Sequence, residues 1–349
     1  MSRLIGIKKY LLNYYTILFF FAIFLRVFFH LFSPIEFFPD SFSYLHLSNI
    51  IFTSTKIEDH LSMPGYPIFL FLSNKIFGNY FALDILTSSV LVLVMSRLYF
   101  KIFNDEYGAK ICALLFAIYP FNILYSSLML AENSFIFFAI TGYTFLYYKN
   151  IFFGFLFIII SIMIRPAIDL FNILIVIVFS ILIFKENYKD LIKKIIIFII
   201  FYCTIHTPWW IYNYDRYGQF VKSNLSTGMA LYSGNNELNK TGGGILWKDF
   251  TFDVIEGVDD PIKQNEIMKN EAIKFIINNP ERFFELTLKR FVRFFNIIPN
   301  TNINELYGAS LTNLFIILIS GISMTSLYLL SFFALTKISK EKLIKLSPL

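Results

Sequence analysis

Residues 18–32 read LFFFAIFLRVFFHLF and residues 37–46 read FFPDSFSYLH. The first stretch belongs to an apolar run from Leu11 to Phe32. A membrane-crossing helix needs roughly 20 mostly apolar residues, and this run supplies them. The second stretch places a carboxylate, Asp40, a few residues beyond that run. Pro39-Asp40-Ser41 can start a helix with Asp40 or Ser41 as its cap. The same three residues can also hold a catalytic carboxylate at a membrane surface. Which reading applies depends on what the rest of the chain builds around it.

The composition of the 349 residues sets the solvent. The chain is 56% hydrophobic, 15% charged and contains 44 Phe. A water-soluble domain cannot hide that much apolar surface, so lipid must solvate much of it. Cys112 and Cys203 both lie inside apolar segments, which argues against a disulfide framework, and no CxxC spacing suggests a metal. The net charge of +6 does not require nucleic acid, because basic residues flanking membrane helices set orientation. No small-residue cleavage site follows the first apolar run, so we expect a retained helix.

Apolar periodicity and length give eight candidate spans: Leu11–Phe32, Phe81–Phe103, Ala109–Leu124, Ala131–Tyr148, Ile151–Ile164, Ile168–Phe184, Leu191–Tyr212 and Leu311–Leu335. Ile151–Phe184 is too long for one span. Arg165-Pro166 in its middle favours two helices meeting at one face, since Pro lacks a donor and disturbs the preceding turn. The expected fold is all-α: a single polytopic membrane domain over 1–349 with about eight transmembrane helices. With the N-terminus placed in the cytoplasm, the inside segments carry most of the basic residues, among them Lys101, Lys149, Lys185, Lys193, Lys194 and Lys342. The short outside segments carry only Lys56, Lys75 and Arg165. That is the positive-inside pattern, with both termini cytoplasmic. Two outer regions are large, 33–80 and 215–310. The second contains the Gly-rich SGNNELNKTGGG and then reads as helical from about Pro261 to Phe295.

Ionisable residues in a bilayer cost roughly 2.5–3.5 kcal/mol each, which makes them functional candidates. Arg26, Asp84, Glu132, Arg165, Asp169 and His206 lie in or at spans, and Asp40, Asp59 and His60 in the first outer loop. The topology brings Asp40, Glu132, Arg165, Arg26 and His60 to one membrane face. Carboxylates and cations at the rim of an apolar bundle suit a lipid-linked anionic substrate. Transfer of a sugar from a polyprenyl phosphate needs a base for the acceptor hydroxyl. It also needs positive charge beside the departing phosphate. Each residue has a plainer role as well. Asp40 can cap a helix, Glu132 can be a first-turn acid, and Arg26 and Arg165 can extend to the interface. His60 and His206 can be hydrogen-bonded structural groups, and Asp84 and Asp169 read as mainly structural. Asp40 and Tyr44 would share one face of a helix starting near Pro39.

Several segments, taken in order, resemble the GT-C-fold membrane glycosyltransferases, in particular the bacterial group similar to protein mannosyltransferases and lipid A aminoarabinose transferase. The segments are PDSFSYLHLS after the first span, MPGYPIFLFLSNKIFG, IYPFNILYSSLMLAENSFIFF, IMIRPAIDL, and TPWWIYNYDRYG running on to SGNNELNKTGGG. The resemblance covers nearly the whole chain and rests on the order of the motifs. It implies a GT-C-type architecture with outer-face juxtamembrane helices. It also implies an enzyme of the inner (plasma) membrane that takes sugar from a polyprenyl-phosphate donor on the outer face. On that carry-over Asp40 is the general base, Glu132 the second active-site acid and Arg165 the phosphate contact. Arg26, His60, Tyr44, Tyr66, Asn235 and Asn236 are the further substrate-binding candidates. The chain departs from the pattern at Tyr212, where a basic residue is common. It departs again at the lone Asp40, followed two residues on by Phe42, where protein mannosyltransferases have an Asp-Glu pair. No cofactor is expected, and no spacing demands the divalent cation that some relatives bind. The expected partners are the lipid-linked donor, membrane lipid and an acceptor that is a lipid, a glycan or a protein; no nucleic acid is expected. The competing classes are a transporter or flippase of lipid-linked glycans, a polymerase or ligase of the O-antigen type, and a non-catalytic partner of a glycan assembly complex.

Overall fold

A computed structural model describes residues 2–32, 38–53, 59–185, 187–243, 253–295 and 311–346. Parts of both outer regions, residues 33–37, 54–58, 244–252 and 296–310, lie outside the described residues, as does Gly244 of the Gly-rich loop. Among the described residues every regular element is helical. The helices are α1 (Ser2–Phe32), α2 (Pro39–Ile50), α3 (Gly65–Phe77), α4 (Ala82–Phe103), α5 (Glu106–Ile118), α6 (Pro120–Tyr125), α7 (Ala131–Tyr147) and α8 (Ile151–Ile164). They continue as α9 (Asn172–Val178), α10 (Tyr188–Tyr217), α11 (Thr227–Gly234), α12 (Pro261–Asn278), α13 (Pro280–Phe294), α14 (Leu311–Lys337) and α15 (Lys340–Leu346). Four helical stretches are long and apolar enough to cross a membrane: Tyr14–Phe32, Ala82–Phe103, Pro166–Ile183 and Tyr188–Tyr217. Ile151–Ile164 and Leu318–Ala334 are shorter apolar helices. The chain thus has the make-up of a helical membrane protein.

The chain divides into two compact units. The first comprises residues 1–54, 63–208 and 322–349, the second 55–62 and 209–321. The centre of the first unit is the α7–α8 hairpin. Leu146, Phe155, Ile158, Ile159 and Ile162 are buried there together with Phe179 and Phe198. Lipid removes the hydrophobic drive between helices, so close van der Waals contact has to hold them. Glycine permits that contact. A Cβ on Gly142 would lie 2.7 Å from Ile158 Cγ1, and one on Gly154 would lie 2.4 Å from Leu146. The hairpin turns at Lys149, whose φ of 61° is left-handed. The Lys149 N–H bonds to the Leu146 carbonyl at 2.8 Å and the Asn150 N–H to that of Phe145 at 2.9 Å, closing the end of α7. Asn150 then caps α8 by accepting from the Phe153 N–H.

Where the sequence expects two helices to meet, α8 stops at Ile164. Arg165 is extended (φ −142°, ψ 127°), as a residue before proline must be, and Pro166 opens a 3-10 turn, Pro166–Phe171. The rest of that segment is irregular: α9 runs into a π-helical turn at Phe179–Ile183. The apolar run Ala109–Leu124 is likewise broken, because Pro120 ends α5 and starts α6.

Gly65 of the MPGYP segment has a packing reason. A Cβ there would sit 2.5 Å from the Met163 carbonyl oxygen, so α3 can approach the end of α8 only because residue 65 has no side chain. Replacement of Gly65 by Ala must displace backbone, and overpacking of this kind costs about 1–3 kcal/mol. Thermal unfolding in detergent is therefore expected at a lower temperature for Gly65→Ala than for wild type. An unchanged midpoint would show that the contact does not constrain α3.

Candidate functional site

In the first unit, α3, α4 and α7 are joined through a buried carboxylate. Asp84, fully buried in the first turn of α4, accepts the Tyr66 hydroxyl of α3 at 2.8 Å and the Ser134 hydroxyl of α7 at 2.8 Å. Burial pushes the Tyr66 phenol well above its usual pKa, and the charge of Asp84 adds to the effect. Tyr66 in turn meets Tyr44 of α2 edge to face, with ring centroids 4.9 Å apart. Ser41 of α2 donates its hydroxyl to the Leu128 carbonyl at 2.6 Å. These contacts fix α2 against the turn that leads into α7.

That turn, Ser126–Leu130, delivers Glu132. Met129 within it has φ 48°, a left-handed conformation that costs a side-chain-bearing residue free energy and is held here by burial. Two residues beyond the turn, Glu132 lies in the first turn of α7, where the helix dipole favours an acid. It receives Arg165 Nη1, so the cation following α8 and the acid opening α7 form an ion pair. Both side chains are over a third exposed, so the pair contributes little to stability and stays open to a ligand.

Beside this pair lies a pocket of about 420 Å³. Leu91, Phe116, Phe121 and Ile136 form its apolar wall, and Met324 of α14 closes one side. Its polar lining is Glu132, Asn122, Asn133, Tyr119 and Tyr125. Asn122 is held by a chain of hydrogen bonds. Arg26 Nε donates to the Ser88 hydroxyl at 2.5 Å, and Ser88 donates to the Asn122 carbonyl and carboxamide oxygens at 3.2 and 3.1 Å. Arginine can only donate, which sets the direction of the chain.

The structure places the sequence candidates unequally. Asp40 is exposed on the first turn of α2. It is not the helix cap: Pro39 is the first helical residue, and the cap position is Phe38, which makes no side-chain cap bond. Asp40, Tyr44, Tyr66, Glu132 and Arg165 all sit on or beside the elements joined by the Asp84 and Ser41 contacts. Tyr66 is fully buried with its hydroxyl on Asp84, so it supports the site from behind. Arg26 does not extend to an interface. It is wholly buried and bonds Ala22 and Ala117 carbonyls as well as Ser88, joining α1, α4 and α5.

The remaining candidates belong to the second unit. His60 Nδ1 meets the Tyr217 hydroxyl and Arg216 Nη2, both at 2.9 Å. Asn235 and Asn236 are each 5% exposed and build their own loop. Asn236 Nδ2 donates to the Tyr232 carbonyl, and its Oδ1 accepts the N–H groups of Leu238 and Asn239. Asn235 Nδ2 donates to the Leu231 carbonyl, and its Oδ1 accepts from Arg290. Arg290 also donates to the carbonyls of Gly234 and Gly242, and Arg282 to that of Asn239. The loop is thus clasped by the polar side of α13. The opposite side of α13 exposes Phe284, Leu288 and Phe291 at helical spacing.

Asn122, Asn133, Tyr119 and Tyr125 carry no charge and so do not stand out among the ionisable candidates of the sequence. The available signal was neutral polar residues inside apolar segments, in YPFNILY and AENSF. Among the described residues no group of three or more His, Cys, Asp or Glu could hold a metal ion. No family model, no curated protein and no solved structure matches the chain.

Two measurements test this geometry. A double-mutant cycle on Tyr66→Phe and Asp84→Asn, followed by unfolding in mixed micelles, is expected to give a coupling of about 0.5–3 kcal/mol. Additive effects would dissolve the network. In Arg290→Ala the loop loses three bonds from a charged donor, each worth about 1.5 kcal/mol or more. Tryptic cleavage after Lys240 is then expected to accelerate at least about tenfold, and equal rates would show that α13 does not hold the loop.

Proposed function

We propose that the chain is a membrane glycosyltransferase that moves a sugar from a polyprenyl-phosphate donor to a hydroxyl acceptor on the outer membrane face. One observation carries this reading. An acid–cation pair, Glu132–Arg165, stands at a pocket of about 420 Å³ with an apolar wall, and Glu132 lies just beyond the turn to which the Asp40-bearing helix is tied. In the proposed reaction the Asp40 carboxylate takes the proton of the acceptor hydroxyl. The acceptor oxygen bonds to the anomeric carbon, and the bond from that carbon to the phosphate oxygen breaks with its electron pair leaving on phosphate. Arg165 offers Glu132 one of its five N–H donors in the pair, and the others are suited to the departing phosphate. Glu132 holds Arg165 in place. The wall of Leu91, Phe116 and Ile136 is compatible with the first isoprenoid units.

The same reading assigns all eight apolar segments as spans in a GT-C-type arrangement, with both termini cytoplasmic and the site on the outer face of the plasma membrane. The acceptor is a hydroxyl of a lipid, a glycan or a protein.

The test is transfer in nanodiscs. Wild type and Asp40→Asn receive radiolabelled polyprenyl-phosphate sugar and cell-envelope acceptors. Asp40→Asn is expected to lower turnover at least about a hundredfold while donor still binds, the scale of general-base catalysis. Full activity in the variant removes Asp40 from the mechanism. Passage of the donor across sealed vesicles without transfer would replace the transferase by a transporter.

A further inference from the structure

At the opposite end of the first unit, lysines gather on aromatic rings. Lys101 lies over the Tyr148 ring at 5.0 Å and Lys342 over Phe103 at 5.6 Å. Between the start of α8, the start of α10 and Phe184 there is a pocket of about 530 Å³. Among the described residues it is lined by the cations Lys149, Lys193 and Lys194 and by one carboxylate, Asp190, a net positive set. We propose that this pocket binds the phosphate headgroup of an anionic membrane phospholipid, with an acyl chain lying along Phe152 and Phe201.

Three observations converge on that ligand. The first is charge. Lys194 is 8% exposed, and its ammonium stands 4.3 Å from the centroid of Phe184. The Lys149 ammonium lies 6.0 Å from the same centroid, so the two cations are at most about 10 Å apart. Cation–π contact holds both ammonium groups on one ring, and a phosphate between them could accept charge-assisted hydrogen bonds from either. The second is backbone. Lys149 occupies a left-handed position where glycine is the unstrained choice. A lysine there puts its ammonium over the pocket. The third is the wall. Phe152 and Phe201 meet edge to face at 5.2 Å, and Phe152 is 56% exposed. Ile196 and Ile200, farther along α10, are about as exposed, so this wall belongs to the lipid-facing surface. From lipid inward the order is apolar wall, then ammonium groups. That is the order of chain and phosphate in a phospholipid, and a soluble phosphate would leave the wall unused. A bias of basic residues to one membrane side explains that lysines are present. It does not explain why three lysines share one pocket with the exposed ring of Phe152.

The site is independent of the transferase reading and is tested without turnover. Delipidated full-length protein is titrated with phosphatidylglycerol, with phosphatidylcholine or with inorganic phosphate, and bound species are counted by native mass spectrometry. Lysines near an anionic surface contribute roughly fivefold each in affinity. Wild type is therefore expected to prefer phosphatidylglycerol over phosphatidylcholine by about twentyfold, with the preference falling as salt rises. Lys149→Gln/Lys193→Gln should abolish the preference, and Lys149→Arg/Lys193→Arg should retain it, which separates lost charge from lost fold. Equal binding of the two lipids, or an unchanged preference in the glutamine variant, overturns the proposal. Displacement of phosphatidylglycerol by inorganic phosphate at equal concentration also overturns it, since the site would then recognise phosphate alone.

Discussion

The first unit depends on a carboxylate that lies out of reach of solvent. Asp84 receives two hydroxyl hydrogen bonds, from Tyr66 and Ser134. A carboxyl group in that position is costly without partners, so the two donors are obligatory. Each comes from a different helix. The requirement to satisfy one acid therefore sets the relative placement of α3, α4 and α7, and through Tyr44 the placement of α2. Glu132 lies on the same helix as Ser134, two residues earlier. What satisfies Asp84 also places Glu132.

Most of the helix pattern was legible in the sequence because it follows from local chemistry. The Arg165-Pro166 break, the Lys149-Asn150 turn and the start of α2 at Pro39 each obey a rule about one or two residues. The convergence of Glu132 and Arg165 was legible as well, since the expected alternation of spans puts both on one face, and the two form an ion pair. Other features depend on tertiary partners. Nothing local distinguishes Arg26 from an arginine that extends to an interface; its burial depends on Ser88 and on the carbonyls of two helices. The order of charges likewise could not reveal that His60, Asn235 and Asn236 belong to the second unit. Gly65 stands in a legible motif, but its reason, the Met163 carbonyl 2.5 Å from where a Cβ would sit, requires the neighbouring helix.

The two ends of the first unit differ in how charge is handled. At one end an acid and a cation neutralise each other at an open pocket. At the other end ammonium groups rest on aromatic faces. The first arrangement can exchange partners with a ligand, because the ion pair is exposed and worth little. The second presents an excess of one sign, suited to steady occupancy.

The clasp on the Gly-Asn loop has a consequence for acid. Arg290 and Arg282 hold it through the carbonyls of Gly234, Gly242 and Asn239 and the carboxamide of Asn235. None of these acceptors takes up a proton in the range where carboxylates do, and guanidinium keeps its charge throughout. The neighbouring Glu285, held below the usual carboxylate range by Lys289 and Arg282, is a partner of the clasping residues rather than of the loop. Protonating it would free Arg282 and Lys289 without removing a bond to the loop. The loop's shape is therefore buffered against acidification by acceptors that do not titrate.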